Sequence, residues 1–190
     1  VSRSQAGSTL SRREPDLFGG APLPEGFVYR PGFIDPAAEA ALLRSLESLP
    51  FQEALYREYT ARRRVVMFEV VPPFLAGLRD RIAAWLGWDP SRIAHALATE
   101  YRPGTQLGWH RDSPQYEEVA GVSLGTPCIM RLRPRPAKGN APARNELLKL
   151  DLEPGSAYSM SGIARWDWQH SIPPTPGLRY SITFRTARRT

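Results

Sequence analysis

The chain has 190 residues, 42% of them hydrophobic and 23% charged, the balance of an ordinary globular domain with enough length for a full core. Its single cysteine, Cys128, excludes an internal disulfide framework and a cysteine-rich zinc site, and fits a reducing cytosol. A formal charge of +6 points to acidic partners, nucleic acid first. No run approaches a membrane span and the first residues hold no apolar signal core, so a cytoplasmic monomer without membrane contact is expected.

Residues 1–20 are polar, basic and rich in Ser and Gly, and read as a flexible arm before a single domain at 21–190. LPEGFVYRPGFI reads as a short strand entering a turn. Asp35-Pro36 then opens a helix, with Asp as N-cap and Pro in the first turn. Ala41, Leu42, Ser45, Leu46 and Leu49 continue one packing face, and Pro50 follows its end. The next stretch, FQEALYREYTARRRVVMFEVV, sets Arg62, Arg63 and Arg64 among Tyr56, Tyr59 and Phe68. Such a mixture suits either a surface that holds phosphates and stacks a base, or a strand with a solvated charged flank. Phe74, Leu75, Leu78, Ile82, Trp85 and Leu86 recur at helical spacing, and Gly87 closes a second helix.

After Asp89-Pro90 the pattern changes to short runs bounded by turn residues. Strands are predicted near Ala94–Tyr101, Val119–Leu124, Cys128–Arg133, Glu146–Leu152, Ala157–Met160, Trp166–Ile172 and Leu178–Thr186. Residues 133–144 are basic and rich in Pro and Gly, and read as an exposed loop. Two helices followed by a run of strands argue for an α+β class. A helical part at about 21–90, carrying substrate recognition, would back a β-sandwich or jelly roll at about 91–190.

The chemistry gathers at the end of YRPGTQLGWHRD. On an extended strand, His110 and Asp112 face the same side and can reach one ion. One imidazole and one carboxylate suit Fe(II), and a second histidine completes a facial triad with three open positions. The chain has three histidines. His170 lies on a predicted strand that a jelly roll can bring beside His110, whereas His95 sits among Ile93, Ala94 and Ala96 and reads as packed. As a loop carboxylate, Asp112 is expected to be dispensable for folding. In the last strand, alternation places Arg179, Ser181, Thr183 and Arg185 on one face and Tyr180, Ile182 and Phe184 on the other. Two arginines framing two hydroxyls can bind a dicarboxylate, since guanidinium pairs with carboxylate through two parallel bonds. An ordinary amphipathic edge strand carries the same pattern.

His110-x-Asp112, the later His170 and the Arg179-to-Arg185 ending together resemble the AlkB family of Fe(II)- and 2-oxoglutarate-dependent dioxygenases. The likeness runs through Thr99–Asp112, Val122–Gly125, Trp168–His170 and Arg179–Arg185. It implies a double-stranded β-helix in which His110, Asp112 and His170 ligate iron. By the same resemblance, Arg179 meets the distal carboxylate of 2-oxoglutarate with Tyr101, and Arg185 faces the end beside the metal. Ser181 and Thr99 stand where relatives often carry asparagine. O2 is the co-reactant, and the implied substrate is an N-alkylated base in single-stranded or locally unpaired DNA or RNA. Oxidation would release succinate, CO2 and formaldehyde. Trp109 and Trp168 flank the ligands and suit either base stacking or core packing, and Tyr56, Tyr59 and Arg62–Arg64 are the other substrate candidates.

The chain also departs from that pattern. Ser113-Pro114-Gln115 supplies no carboxylate where several DNA-repair members carry acidic residues that help read the damaged base. Phe68–Pro72 is short where the family places a nucleotide-recognition lid. An RNA-modifying enzyme and a hydroxylase of proteins or small molecules therefore stand as alternatives, beside a non-catalytic β-domain that binds nucleic acid.

Overall fold

The computed structural model describes residues 22–55, 60–136 and 147–188, the side chains at 54, 55, 60–62 and 94 excepted. Chain order is β1 (Phe27–Arg30), α1 (Pro36–Glu47), β2 (Gln52–Leu55), β3 (Thr60–Phe68) and α2 (Pro73–Leu86). A single 3-10 turn at Pro90–Arg92 leads into β4 (Ile93–Tyr101), β5 (Leu107–His110), β6 (Tyr116–Gly125) and β7 (Cys128–Pro134). Then come β8 (Leu148–Leu152), β9 (Ala157–Met160), α3 (Gly162–Trp166), β10 (Trp168–Ile172) and β11 (Arg179–Ala187).

Local chemistry sets the helix ends. The Asp35 carboxylate accepts from the Ala38 amide at 2.8 Å and Pro36 occupies the first turn of α1, a cap worth about 1 kcal/mol. Gly87 ends α2 in the left-handed region at φ 67°, where a side chain would be strained.

The strands form two antiparallel sheets. The larger runs β1-β9-β6-β11-β4-β3-β2 and the smaller β5-β10-β7-β8. Leu46 of α1 and Leu75, Leu78 and Ile82 of α2 share one core with Ala98, Val122, Ile182 and Phe184 of the larger sheet. A second core, between the sheets, holds Tyr101, Met130, Leu132, Leu152, Met160 and Ile172. The larger sheet is thus covered on both faces. That is why β11 is buried along nearly its whole length, although only every second residue is apolar. Burying side chains the size of Ile182 and Phe184 contributes roughly 1.5–3 kcal/mol each. The opposite face of β11 carries polar groups into the space between the sheets, and those groups need partners there.

Several sequence expectations change. Trp166 belongs to the one-turn helix α3, so the strand bearing His170 begins at Trp168. β5 ends at His110, so Asp112 lies in the loop beyond it and the two residues do not share an extended strand. The strand expected from Glu146 is described from Leu148. β3 and α2 are joined by residues 69–72 alone, in line with the short connection read from the sequence. The 1–20 arm, Tyr56, Tyr59, the Arg62 side chain and most of the 133–144 loop lie outside the described residues. Among the described residues, no helix is long and apolar enough to cross a membrane.

Candidate active site

β5 and β10 pair with His110 opposite His170, which brings the two imidazoles together at 4.1 Å between ring centroids. The loop after β5 turns Asp112 back toward them. One carboxylate oxygen lies 3.8 Å from His170 Nε2, and the other 3.1 Å from Arg185 Nη2. One ligating atom from each of His110, Asp112 and His170 falls within 4.8 Å of the other two. His110 Nδ1 lies 2.9 Å from the Gly108 carbonyl. A proton on Nδ1 donates there and leaves Nε2 as the ligating atom, the outer bond that orients metal-binding imidazoles.

The electrostatics favour the ligating protonation states. Burial drives His170 down to about 3, with the neighbouring His110 adding to the effect. His110 is lowered too, chiefly by burial. Burial alone pushes Asp112 up, but the charges of Arg185, His170, His110 and Arg165 outweigh it and hold the carboxyl at about 2. At neutral pH the cluster is two neutral imidazoles and one carboxylate, the donor set suited to Fe(II).

Along β11 the alternation read from the sequence holds. Arg179, Ser181, Thr183 and Arg185 line one cavity with His110, Asp112, His170, Thr99, Tyr101, Tyr158 and Arg63. Arg179 is 1% exposed and stacks over the Tyr101 ring at 4.8 Å. Its Nε donates to Ser123 Oγ at 3.2 Å, while its buried Nη1 has no hydrogen-bond partner among the described residues. A guanidinium nitrogen so placed is costly unless an acceptor arrives, and a carboxylate is the acceptor its fork matches. Arg185 Nε is likewise buried without a hydrogen bond among the described residues. The cavity therefore has a His/Asp cluster that could hold a metal ion beside Arg185, and a buried guanidinium at Arg179.

Two site features escaped the sequence reading. Tyr158 on β9 reaches the cavity across β6, where Gly121 stands opposite it; a Cβ on Gly121 would lie 2.5 Å from the ring. Burial, with the Asp112 charge, raises the Tyr158 phenol well above its usual range, so it stays a donor. The signal was a small residue facing a large one, visible only once the β6–β9 register is known. Arg165, buried in α3, carries no sequence pattern at all.

The substrate candidates separate. Arg63 lines the cavity. Arg64 turns to the other side of β3, bonding Glu100 at 2.9 Å and the Phe51 carbonyl at 2.6 Å. Trp168 packs against the core between the sheets. Trp109 lies under the guanidiniums of Arg133 and Arg131, at 4.1 and 5.1 Å from its ring, and does not line the cavity.

Comparison with known proteins agrees with this geometry. The family model of the 2OG-Fe(II) oxygenase superfamily matches residues 52–185. The chain is 32% identical over 157 residues to the alpha-ketoglutarate-dependent dioxygenase alkB homolog 7, mitochondrial, of Bos taurus, covering 79% of this chain and 68% of that protein. It is 26% identical over 166 residues to the DNA oxidative demethylase ALKBH2 of Mus musculus, covering 80% and 68%. It thus spans about two thirds of the length of these relatives. Among solved structures, OsALKBH1 superposes with a TM-score of 0.69 at 16% identity, over 87% of this chain and 100% of that one. A prolyl hydroxylase from Trichoplax adhaerens, in complex with a hypoxia inducible factor peptide fragment, gives 0.66 at 12% identity over 85% and 83%. At such identities these two likenesses show the fold alone.

Proposed function

Because the chain belongs to the AlkB family of 2OG-Fe(II) oxygenases, a dioxygenase that uses Fe(II) and 2-oxoglutarate, we propose that it oxidatively demethylates N-alkylated bases in DNA or RNA. We read it as a monomer acting on single-stranded or locally unpaired substrate, since a stacked base must be extracted before its N-alkyl group can be reached. The observation that carries the reading is one cavity holding the His110, Asp112 and His170 cluster at one end and the unpartnered Nη1 of Arg179 at the other.

In this reading His110 Nε2, His170 and the Asp112 carboxylate hold the iron. Arg179 takes the distal carboxylate of 2-oxoglutarate through a two-bond fork, with Tyr101, Thr99 and Ser181 beside it. Tyr158 donates from across the cavity, and Arg185 fixes Asp112 while facing the metal-bound end. Leu97, Leu107, Met130 and Ile172 form apolar walls that keep water from the reacting atoms. When bound, Fe(II) couples O2 to both organic partners: one oxygen atom leaves with succinate as 2-oxoglutarate loses CO2, and the other enters an alkyl C–H bond. The N-hydroxymethyl product then loses its hydroxyl proton, the oxygen pair forms the carbonyl of formaldehyde, and the C–N bonding pair returns to the base nitrogen.

Residues 21–190 are proposed to work as one domain, since α1 and α2 share a core with the larger sheet. The test is anaerobic loading with Fe(II), then succinate and formaldehyde release on methylated DNA, methylated RNA and unmodified controls. Release on the methylated strands alone supports the reading. Equal succinate release on methylated and unmodified strands, with no formaldehyde, would overturn it. We keep the cytoplasm as the proposed compartment; the bovine relative is named mitochondrial, and imaging of the tagged full-length protein decides between them.

A further inference from the structure

Of the three ligand residues, Asp112 alone lies outside regular structure, in the loop between β5 and β6. Its position has to come from something other than a sheet ladder. Both of its chain neighbours are tied to α3. The Arg111 side chain donates to the Trp166 carbonyl at 2.6 Å. From the same helix, Arg165 Nη2 donates back to the Ser113 carbonyl at 2.6 Å and to the Tyr116 carbonyl at 3.0 Å. Arg165 is 2% exposed, and its guanidinium lies 4.5 Å from the Trp166 ring, which also carries Arg188 at 5.1 Å.

From this crossed pair of ties we propose that Arg165 is a positioning residue, and that Arg165 and Arg111 clamp the Asp112 loop onto α3 so that the carboxylate meets the two imidazoles. The proposal rests on the metal-site reading above. α3 leads directly into β10, which carries His170. The clamp therefore links the loop-borne member of the ligand set to the strand holding one of its partners. A buried guanidinium is expensive to desolvate, and among the described residues Arg165 Nε has no hydrogen-bond partner. Two carbonyl bonds and the nearby Asp112 charge offset that cost; a purely apolar residue would avoid it. Arg165 does not line the cavity, so its effect must pass through Asp112.

The experiment titrates Co(II), as a spectroscopic probe, into the metal-free protein and into Arg165→Met, Arg165→Lys, Arg111→Met and Asp112→Ala. Dissociation constants, visible absorption bands and thermal unfolding are all recorded. Asp112→Ala must change the bands; if it does not, the metal-site reading itself fails. Given that it does, Arg165→Met is expected to weaken Co(II) at least about tenfold and to shift the bands toward those of Asp112→Ala. Both carbonyl bonds leave one nitrogen, Nη2, so Arg165→Lys, whose ammonium carries three donors, is expected to recover part of the affinity that Arg165→Met loses. A folded Arg165→Met variant with wild-type bands and affinity would overturn the clamp. Should the Arg165 variants fail to fold, Arg111→Met, in a half-buried position, carries the test: a weakened Co(II) site supports the clamp and an unchanged one overturns it.

Discussion

Arg185, on the last strand, donates through Nη2 to Oδ1 of Asp112 at 3.1 Å, both side chains being 10% exposed. The arginine that the family resemblance places beside the cosubstrate thus also holds the carboxylate proposed as a metal ligand. Arg185→Lys should accordingly lower turnover more than it raises the 2-oxoglutarate requirement, since a single ammonium cannot serve both acceptors with a planar fork. Kinetics with 2-oxoglutarate varied at saturating iron separate the two. A raised KM with unchanged kcat would place Arg185 on the cosubstrate alone.

The same bond changes the expectation for Asp112. A loop carboxylate reads from sequence as dispensable for folding, yet this one is buried against a cation. Asp112→Ala should abolish iron-dependent turnover and also destabilise the metal-free fold by about 3 kcal/mol, the scale for leaving a buried ion without its partner. Urea unfolding of the metal-free proteins measures it. Turnover at the wild-type rate would remove Asp112 from the ligand set, and an unchanged midpoint would mean that Arg185 finds another acceptor.

What the sequence disclosed follows from how local each signal is. The β11 alternation, the Asp35-Pro36 helix start and the Gly87 stop are written in adjacent residues, and all three reappear in the structure. Tyr158 facing Gly121, and Arg165 reaching Ser113, depend on pairings between segments far apart in sequence. No single-chain pattern encodes those. Trp166-Asp167-Trp168 misled because aromatic residues favour strands, whereas the backbone there closes one helical turn before β10. Trp109 beside His110 suited either base stacking or core packing, but the neighbour of an inward-facing strand residue points outward, where it lies under Arg131 and Arg133.

Acid should undo the metal-free protein in a defined window. His170 has a folded pKa of about 3, below its ordinary 6.5, so between those values the unfolded chain binds a proton that the folded chain does not. Stability is therefore full above about pH 6.5 and falls as pH drops toward 3. Asp112, held at about 2, adds a further loss below its ordinary 3.8. Urea midpoints of the metal-free protein should fall between about pH 7 and 4, and His170→Gln should flatten that part of the curve. A wild-type midpoint independent of pH there would contradict the neutral, buried imidazole.

Nucleic-acid binding has its own test on the outer face of the smaller sheet. Arg131 and Arg133 anchor their Nε groups on Ser171 and Gln169, both at 2.9 Å, and lie over Trp109. Among the described residues neither forms an ion pair. If this face meets phosphates, Arg131→Gln with Arg133→Gln should weaken single-strand binding and reduce the salt slope by roughly 0.7 for each phosphate no longer neutralised. Affinity measured across a range of salt reads both. A double variant with the wild-type slope would move the strand to another face.

The far end of the cavity gives the test of cosubstrate binding. Arg179 and Arg185 are about 20 Å apart along an extended strand, farther than one 2-oxoglutarate can span unless the side chains lean inward. Arg179 does lean inward: its Nε bonds Ser123, which stands opposite Ser181 and not opposite Arg179 itself. With Nε used there and the ring of Tyr101 beneath the guanidinium, the buried Nη1 is left to meet the ligand. Lysine at this position would keep a charge but lose both the Ser123 tie and the planar fork. Arg179→Lys should raise the 2-oxoglutarate requirement at least about tenfold, about 1.4 kcal/mol of binding, with Fe(II) affinity nearly unchanged because no metal ligand is touched. Titrating 2-oxoglutarate at saturating iron, alongside a direct metal titration, separates the two quantities. An unchanged cosubstrate requirement would mean that the buried guanidinium serves the fold alone, and the assignment of this end of the cavity to a carboxylate would fall.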